Sequence, residues 1–129
     1  MKQRILAVDD EPDMLILLQR IIMEKTAYEI VTTNSALEVP GLLDTQQFDV
    51  VITDLSMPKL DGLDILKLVR DRGQGELVIL ITAFGDYETS EKARELGVHD
   101  YIHKPFRKEQ ILATVEQAME IQRARQAEL

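Results

Sequence analysis

Phe48-Asp49-Val50-Val51-Ile52-Thr53-Asp54 is an apolar run that ends on a carboxylate and passes into the turn-forming stretch Leu55-Ser56-Met57-Pro58-Lys59-Leu60-Asp61-Gly62. Such a run reads as a buried parallel strand, and open α/β sheets place their chemistry at the carboxyl ends of their strands. Asp54 is therefore the first candidate for a functional residue. Three more strand ends point the same way. Ile5-Leu6-Ala7-Val8 ends in Asp9-Asp10, Leu77-Val78-Ile79-Leu80-Ile81 ends in Thr82, and Tyr101-Ile102-His103 ends in Lys104-Pro105. Together these ends would gather three carboxylates, a hydroxyl and an ammonium on one edge of one sheet.

Amphipathic segments separate the apolar runs, and this βα rhythm predicts a parallel sheet covered by helices on both faces. Pro12 is well placed as a first helical residue, and Met14, Leu15, Leu17, Leu18, Ile21 and Ile22 predict a wide buried stripe behind it. Tyr28 to Thr33 reads as a strand, with Asn34 or Ser35 as cap of a second helix running toward Asp44. Pro40-Gly41 is expected to interrupt that helix, and proline also disfavours helical geometry at Val39. Asp61 is the expected cap of a third helix, with Leu63, Leu66, Leu68 and Val69 inward and Gly73 and Gly75 as its stop. Asp86 is placed to cap a short polar helix through Ala93 and Leu96 that ends at Gly97, and Arg107 opens a last helix with Ile111, Leu112, Val115, Ala118 and Met119 inward.

A chain of 129 residues, 45% hydrophobic and 29% charged, suits one domain with a continuous core. The absence of cysteine excludes disulfides, thiolate metal sites and cysteine nucleophiles, and is compatible with a reducing cytoplasm. Only four apolar residues separate the basic start Met1-Lys2-Gln3-Arg4 from Asp9, far short of a signal-peptide core or a membrane span. A soluble, cytoplasmic protein with no membrane partner is expected. The net charge of −8 and pI near 4.7 argue against nucleic-acid binding by a broad basic face, so any DNA work belongs to another domain or a partner.

Taken in order, Val8-Asp9-Asp10-Glu11-Pro12, Thr53-Asp54-Leu55-Ser56-Met57-Pro58 with Asp61-Gly62, Ile81-Thr82-Ala83, Tyr101 and Lys104-Pro105 resemble the receiver domain of bacterial two-component response regulators. The resemblance runs from Lys2 to about Gln122. It implies a flavodoxin-like, doubly wound five-stranded parallel sheet of order 2-1-3-4-5. It also implies that Asp54 is the phosphoacceptor, that Mg2+ is the cofactor, held by Asp10 and Asp54 directly, by Asp9 through water and by the Ser56 carbonyl, and that Lys104 and Thr82 each contact a phosphoryl oxygen. Thr82 and Tyr101 would form the switch, although Tyr101 reads equally as an ordinary half-buried strand tyrosine. The Lys104-Pro105 bond is expected to be cis, and Ser56 and Phe84 to tune the lifetime of the phosphorylated state. His99 and His103 lack a further histidine or cysteine partner and read as structural or surface residues.

The implied function is a signalling switch, not a turnover enzyme, that assists its own phosphorylation and dephosphorylation. It would take its phosphoryl group from a sensor histidine kinase. Phosphorylation would change the face made by the polar helix after Thr82, the fifth strand and the last helix, and so regulate an output domain in the same chain, most naturally in transcription. The alternative is a stand-alone receiver acting on a downstream protein. A rival class, the haloacid-dehalogenase phosphatases, needs a second aspartate two residues beyond its nucleophile, where this chain has Ser56. A module that keeps the fold without phosphorylation is opposed by the intact set Asp9, Asp10, Asp54, Thr82 and Lys104. Residues 1–122 are expected to form the receiver, and 123–129 a helical extension projecting into solvent toward an ATPase-containing activator. Arg125 interrupts the heptad seam through Val115, Ala118, Gln122 and Leu129, so a phosphorylation-dependent homodimer is allowed there and not implied.

Overall fold

Alternation of buried runs with amphipathic segments is realised as five strands and five helices. The computed structural model describes residues 2–83 and 87–128. The elements are β1 (Arg4–Val8), α1 (Pro12–Lys25), β2 (Glu29–Thr33), a 3-10 turn (Ala36–Glu38), α2 (Val39–Thr45), β3 (Val50–Asp54), α3 (Gly62–Arg72), β4 (Leu77–Thr82), α4 (Tyr87–Glu95), β5 (Asp100–His103) and α5 (Lys108–Ala127). All strand pairings are parallel, in the order β2-β1-β3-β4-β5. The expected order is therefore the observed one.

The period of two along each strand divides the core into two halves. Ile5, Ala7, Val50, Ile52, Ile79, Ile81 and Ile102 face Leu15, Leu18, Ile21 and Ile22 of α1 and Ile111, Val115, Ala118 and Met119 of α5. Leu6, Val8, Val51, Val78 and Leu80 face Val39 and Leu43 of α2, Ile65, Leu66 and Val69 of α3, and Ala93 of α4. Among the described side chains of α4, Ala93 alone is fully inside, as the helix's polar composition predicts.

Several expectations are corrected. Leu17 is 43% exposed: it lies 100° around the helix from Leu18, at the margin of a stripe that is narrower than expected. Pro40 does not interrupt a helix. It sits in the first turn of α2, where its missing N–H costs no intrahelical bond, and the 3-10 turn before it absorbs the change of path. Val39 is helical at φ −60 and ψ −46 despite the following proline, because its side chain is fully buried and holds the backbone there. Ser35 precedes the 3-10 turn without a capping side-chain bond. Asp61, in contrast, caps α3 through a reciprocal pair with Asp64, and Gly73 ends that helix at φ +67. The fifth strand begins at Asp100, one residue before the run Tyr101-Ile102-His103. The expectations for Phe84, the Asp86 cap and Leu129 lie outside the described residues.

The last helix is continuous to Ala127, a span of about 30 Å at 1.5 Å per residue. Residues 123–128 at its far end are exposed, yet side chains there tie it to the domain. Gln122 is buried, and Arg123 and Arg125 bond back to the domain. Val115, Ala118 and Gln122 all turn inward, which removes them as a free dimerisation seam.

Candidate functional site

Asp54 ends β3 and is paired with Ile81, while Asp9 follows β1 and donates its backbone N–H to the Thr33 carbonyl. Both carboxylates are buried, with residue exposures of 6% and 2%. The Glu11 amide donates to Asp9 Oδ1 at 2.9 Å, closing a turn that leaves Asp10 exposed beside it. Carboxylate oxygens of Asp9, Asp10, Glu11 and Asp54 lie within 4.8 Å of one another. Glu11 was not singled out from the sequence, where it reads as the residue before a helix-opening proline.

Lys104 reaches this cluster from the far end of the sheet. Its N–H donates to the Thr82 carbonyl, extending the β4–β5 ladder past the Thr82–His103 pair. Its Nζ then stands 3.7 Å from Asp9 Oδ2 and 3.6 Å from Asp54 Oδ2. The Lys104-Pro105 bond is cis, as expected. Thr82 is 1% exposed at the end of β4, and strand parity puts it on the same face of the sheet as Leu80, with Tyr101 paired opposite Leu80. The Tyr101 ring is half-buried against the α3–α4 side of the core, 5.1 Å from the His103 ring, and its hydroxyl oxygen is shielded from solvent. Ser56 lies exposed at the rim, two residues beyond Asp54. Among the described residues, the group able to hold a metal contains neither His99 nor His103.

Burial governs the electrostatics. It pushes the Asp9 carboxyl up to about 6; the Glu11 amide opposes the shift, Asp54 adds to it, and Lys104 opposes it. Asp54 is also raised by burial, against the pull of Lys104 and the Ser56 and Leu55 amides. Crowded, desolvated carboxylates held by a single ammonium are poised to gain from added positive charge. Gly62 fixes the loop under Asp54: a Cβ there would stand 2.6 Å from the Asp54 carbonyl oxygen, 2.8 Å from Leu55 Cα and 2.9 Å from Leu80 Cδ2. In the sequence Gly62 belongs to the turn and to the Asp61-Gly62 motif, but the steric reason for a glycine there is not legible.

The family of response regulator receiver domains matches residues 5–116. The chain belongs to that family. The receiver is 31% identical over 115 residues to the alkaline phosphatase synthesis transcriptional regulatory protein PhoP of Bacillus subtilis, an alignment covering 89% of this chain and 48% of that protein. It therefore spans about half the length of that relative. It is 30% identical over 106 residues to sporulation initiation phosphotransferase F of Bacillus subtilis, covering 82% of this chain and 85% of that one. The solved signal receiver domain of an HD domain-containing protein from Pseudomonas fluorescens Pf-5 superposes with a TM-score of 0.90 at 26% identity, covering 96% of this chain and 99% of that one. The chain is thus a phosphorylation-activated regulatory switch of the two-component type. No helix among the described residues is long and apolar enough to cross a membrane.

Proposed function

We propose that Asp54 is the phosphoacceptor of this receiver, and that a sensor histidine kinase is the donor. The observation that carries the assignment is the position of Lys104 Nζ, 3.6 Å from Asp54 Oδ2 and 3.7 Å from Asp9 Oδ2, at the buried carboxyl end of the sheet. An Asp54 oxygen attacks phosphorus, the bond from phosphorus to the kinase imidazole breaks, and an acyl phosphate forms. Phosphoryl transfer asks the protein chiefly for positioning and for charges matched to the equatorial oxygens. Lys104 supplies one such charge, and Thr82, at the neighbouring strand end, supplies a hydroxyl. In this sense the domain assists its own phosphorylation and dephosphorylation.

The donor set fits Mg2+, because Asp9, Asp10 and Asp54 offer only hard carboxylate oxygens, gathered within 4.8 Å. Asp10 and Asp54 would hold the ion directly and Asp9 through water, with the Ser56 carbonyl completing the protein share. Bound there, it neutralises the carboxylates and the incoming phosphoryl group. The strained balance of like charges around Asp9 supports this reading.

Downstream, Thr82 and Tyr101 form the switch that alters the α4–β5–α5 face. That face acts on an output in the same chain, with residues 1–122 as the receiver and 123–129 as the start of the connection. The resemblance to PhoP supports a transcriptional output, and phosphotransferase F supports the alternative of a stand-alone receiver acting on a protein partner. Nucleic acid is not a direct partner of this acidic domain, and its workplace is the cytoplasm. Ser56, where a phosphatase needs its acid and base, speaks against continuous turnover.

The test is intact mass after incubation with magnesium and acetyl phosphate. The wild type gains one labile phosphoryl group, and Asp54→Asn gains none while keeping its fold. An adduct on the Asn variant removes Asp54 from its role, and continuous phosphate release by the wild type would favour the phosphatase.

A further inference from the structure

At the edge of the sheet opposite the acidic cluster, one buried side chain joins the last helix to the two strands that carry Asp54 and Thr82. Gln122 Nε2 donates to the Asp49 carbonyl at 2.7 Å and to the Gly75 carbonyl at 2.8 Å. These are the residues leading into β3 and β4. The Asp49 carbonyl also accepts the Leu77 N–H at 3.0 Å, the bond that opens the β3–β4 ladder. The amide therefore adds a side-chain rung below the backbone ladder, using both of its donors. Its own Oε1 accepts from Arg125 Nη1 at 3.4 Å, and the same Nη1 donates to the Gly75 carbonyl at 3.1 Å.

A second tie lies one turn back. Gln3 Nε2 donates to the Met119 carbonyl, and Gln3 Oε1 accepts from Arg123 Nη1 at 2.8 Å. Residues 123–128 are exposed, so these turns of α5 have little apolar contact to hold them. A buried amide with every group satisfied is demanding in geometry and fixes both the rotation and the translation of the helix.

We propose that Gln122 is a positioning residue that mounts the last turns of α5 on the β3–β4 pair. The strands bearing Asp54 and Thr82 and the end of α5 then move as one body. Whatever follows Ala127 leaves from the edge opposite the acidic cluster in one fixed direction in both states, and rearrangement of the α4–β5–α5 face is left to α4, β5 and the start of α5. The mount itself is independent of the phosphorylation chemistry; its constancy between states rests on the Asp54 assignment.

Amide hydrogen exchange on the 129-residue chain tests both parts, with Gln122→Met as the variant. Methionine matches the length and removes the donors. Asp49 and Gly75 each keep another donor, from Leu77 and Arg125, so the variant leaves no carbonyl unpaired. Amides of residues 119–127 should exchange tenfold or more faster in the variant, with those of α1 unchanged. Equal protection in both proteins, or acceleration of α1 to the same degree, overturns the mount. The wild type gives a second reading that needs no variant: the Gln122 side-chain amide protons should exchange slowly, and exchange at the rate of free glutamine overturns it. With magnesium and beryllium fluoride, exchange should change across 87–103 and stay constant across 119–127. Equal change in both stretches overturns the fixed exit. No change anywhere counts against the Asp54 reading, while the variant and the side-chain protons still decide the mount.

Discussion

Asp9 shows how burial turns a carboxylate into a stored cost. Its folded pKa, raised from 3.8 to about 6, means that the native state binds a proton more readily than the unfolded chain. Its contribution to stability is therefore full below about pH 4 and is lost as pH rises through 6, by at most about 3 kcal/mol at 1.36 kcal/mol per unit. Urea melts of metal-free wild type and Asp9→Asn between pH 4 and 7 should diverge accordingly, with the variant gaining relative stability as pH rises. A constant difference would show that Asp9 is not desolvated in solution. Gly62 carries a second prediction, since its absent Cβ would collide with the Asp54 carbonyl oxygen and Leu55 Cα, both backbone atoms unable to step aside. Gly62→Ala should cost roughly 1–3 kcal/mol in a denaturant melt and slow uptake of phosphoryl groups, since the loop under Asp54 must shift. Melting and phosphorylation like the wild type's would refute the steric account. At this scale the sequence exposes residues that end apolar runs, which is why Asp9, Asp54, Thr82 and Lys104 stand out as candidates. The parts that Gly62 and Glu11 play in the site are not legible there, although both stand inside the quoted motifs, because those parts depend on what approaches them in space.

Elements were legible where one local signal dominates. The capped start of α3 is such a case: Asp61 accepts from the Asp64 amide at 2.9 Å, and Asp64 Oδ2 accepts from the Asp61 amide at 3.0 Å. Asp61→Ala should cost about 1 kcal/mol, measured by thermal unfolding, while acetyl phosphate still adds one phosphoryl group to the chain. An unchanged melt would mean that solvent replaces the cap. Where two local signals compete, the sequence misleads. Pro40 reads as a breaker because the preceding residues look helical, yet the 3-10 turn already ends at Glu38 and proline becomes part of a new helix's first turn. Val39 is the deciding residue, since its burial outweighs the steric preference that proline imposes on it. In α1 the expected stripe is too wide at Leu17, which is exposed, because a helix can offer only one side to the sheet; Ile16 and Met23, outside that stripe, are exposed as well.

For the whole molecule, the layering is legible in the rhythm of the chain and the sheet order in the receiver resemblance, while the fate of α5 is not, because Gln122 looks like any polar helix residue until its two carbonyl acceptors are seen. The sheet thus has a charged functional edge and a hydrogen-bonded anchoring edge, with the core between them. The charged edge concentrates negative potential in a chain whose formal net charge is already −8. A divalent cation that binds the folded cluster has no comparable site in the unfolded chain, so it must raise the melting temperature by mass action. At ten times its dissociation constant the gain is about 1.4 kcal/mol, which corresponds to a few degrees for a domain of this size. Thermal melts with and without millimolar magnesium should show that rise in the wild type. Asp10→Ala should lose most of it, since the exposed Asp10 adds an oxygen to the cluster without holding up the core. Sodium at equal ionic strength separates site binding from general screening, which would lift every variant alike. A wild-type melt indifferent to magnesium, or an equal shift in Asp10→Ala, would place the ion somewhere other than this cluster.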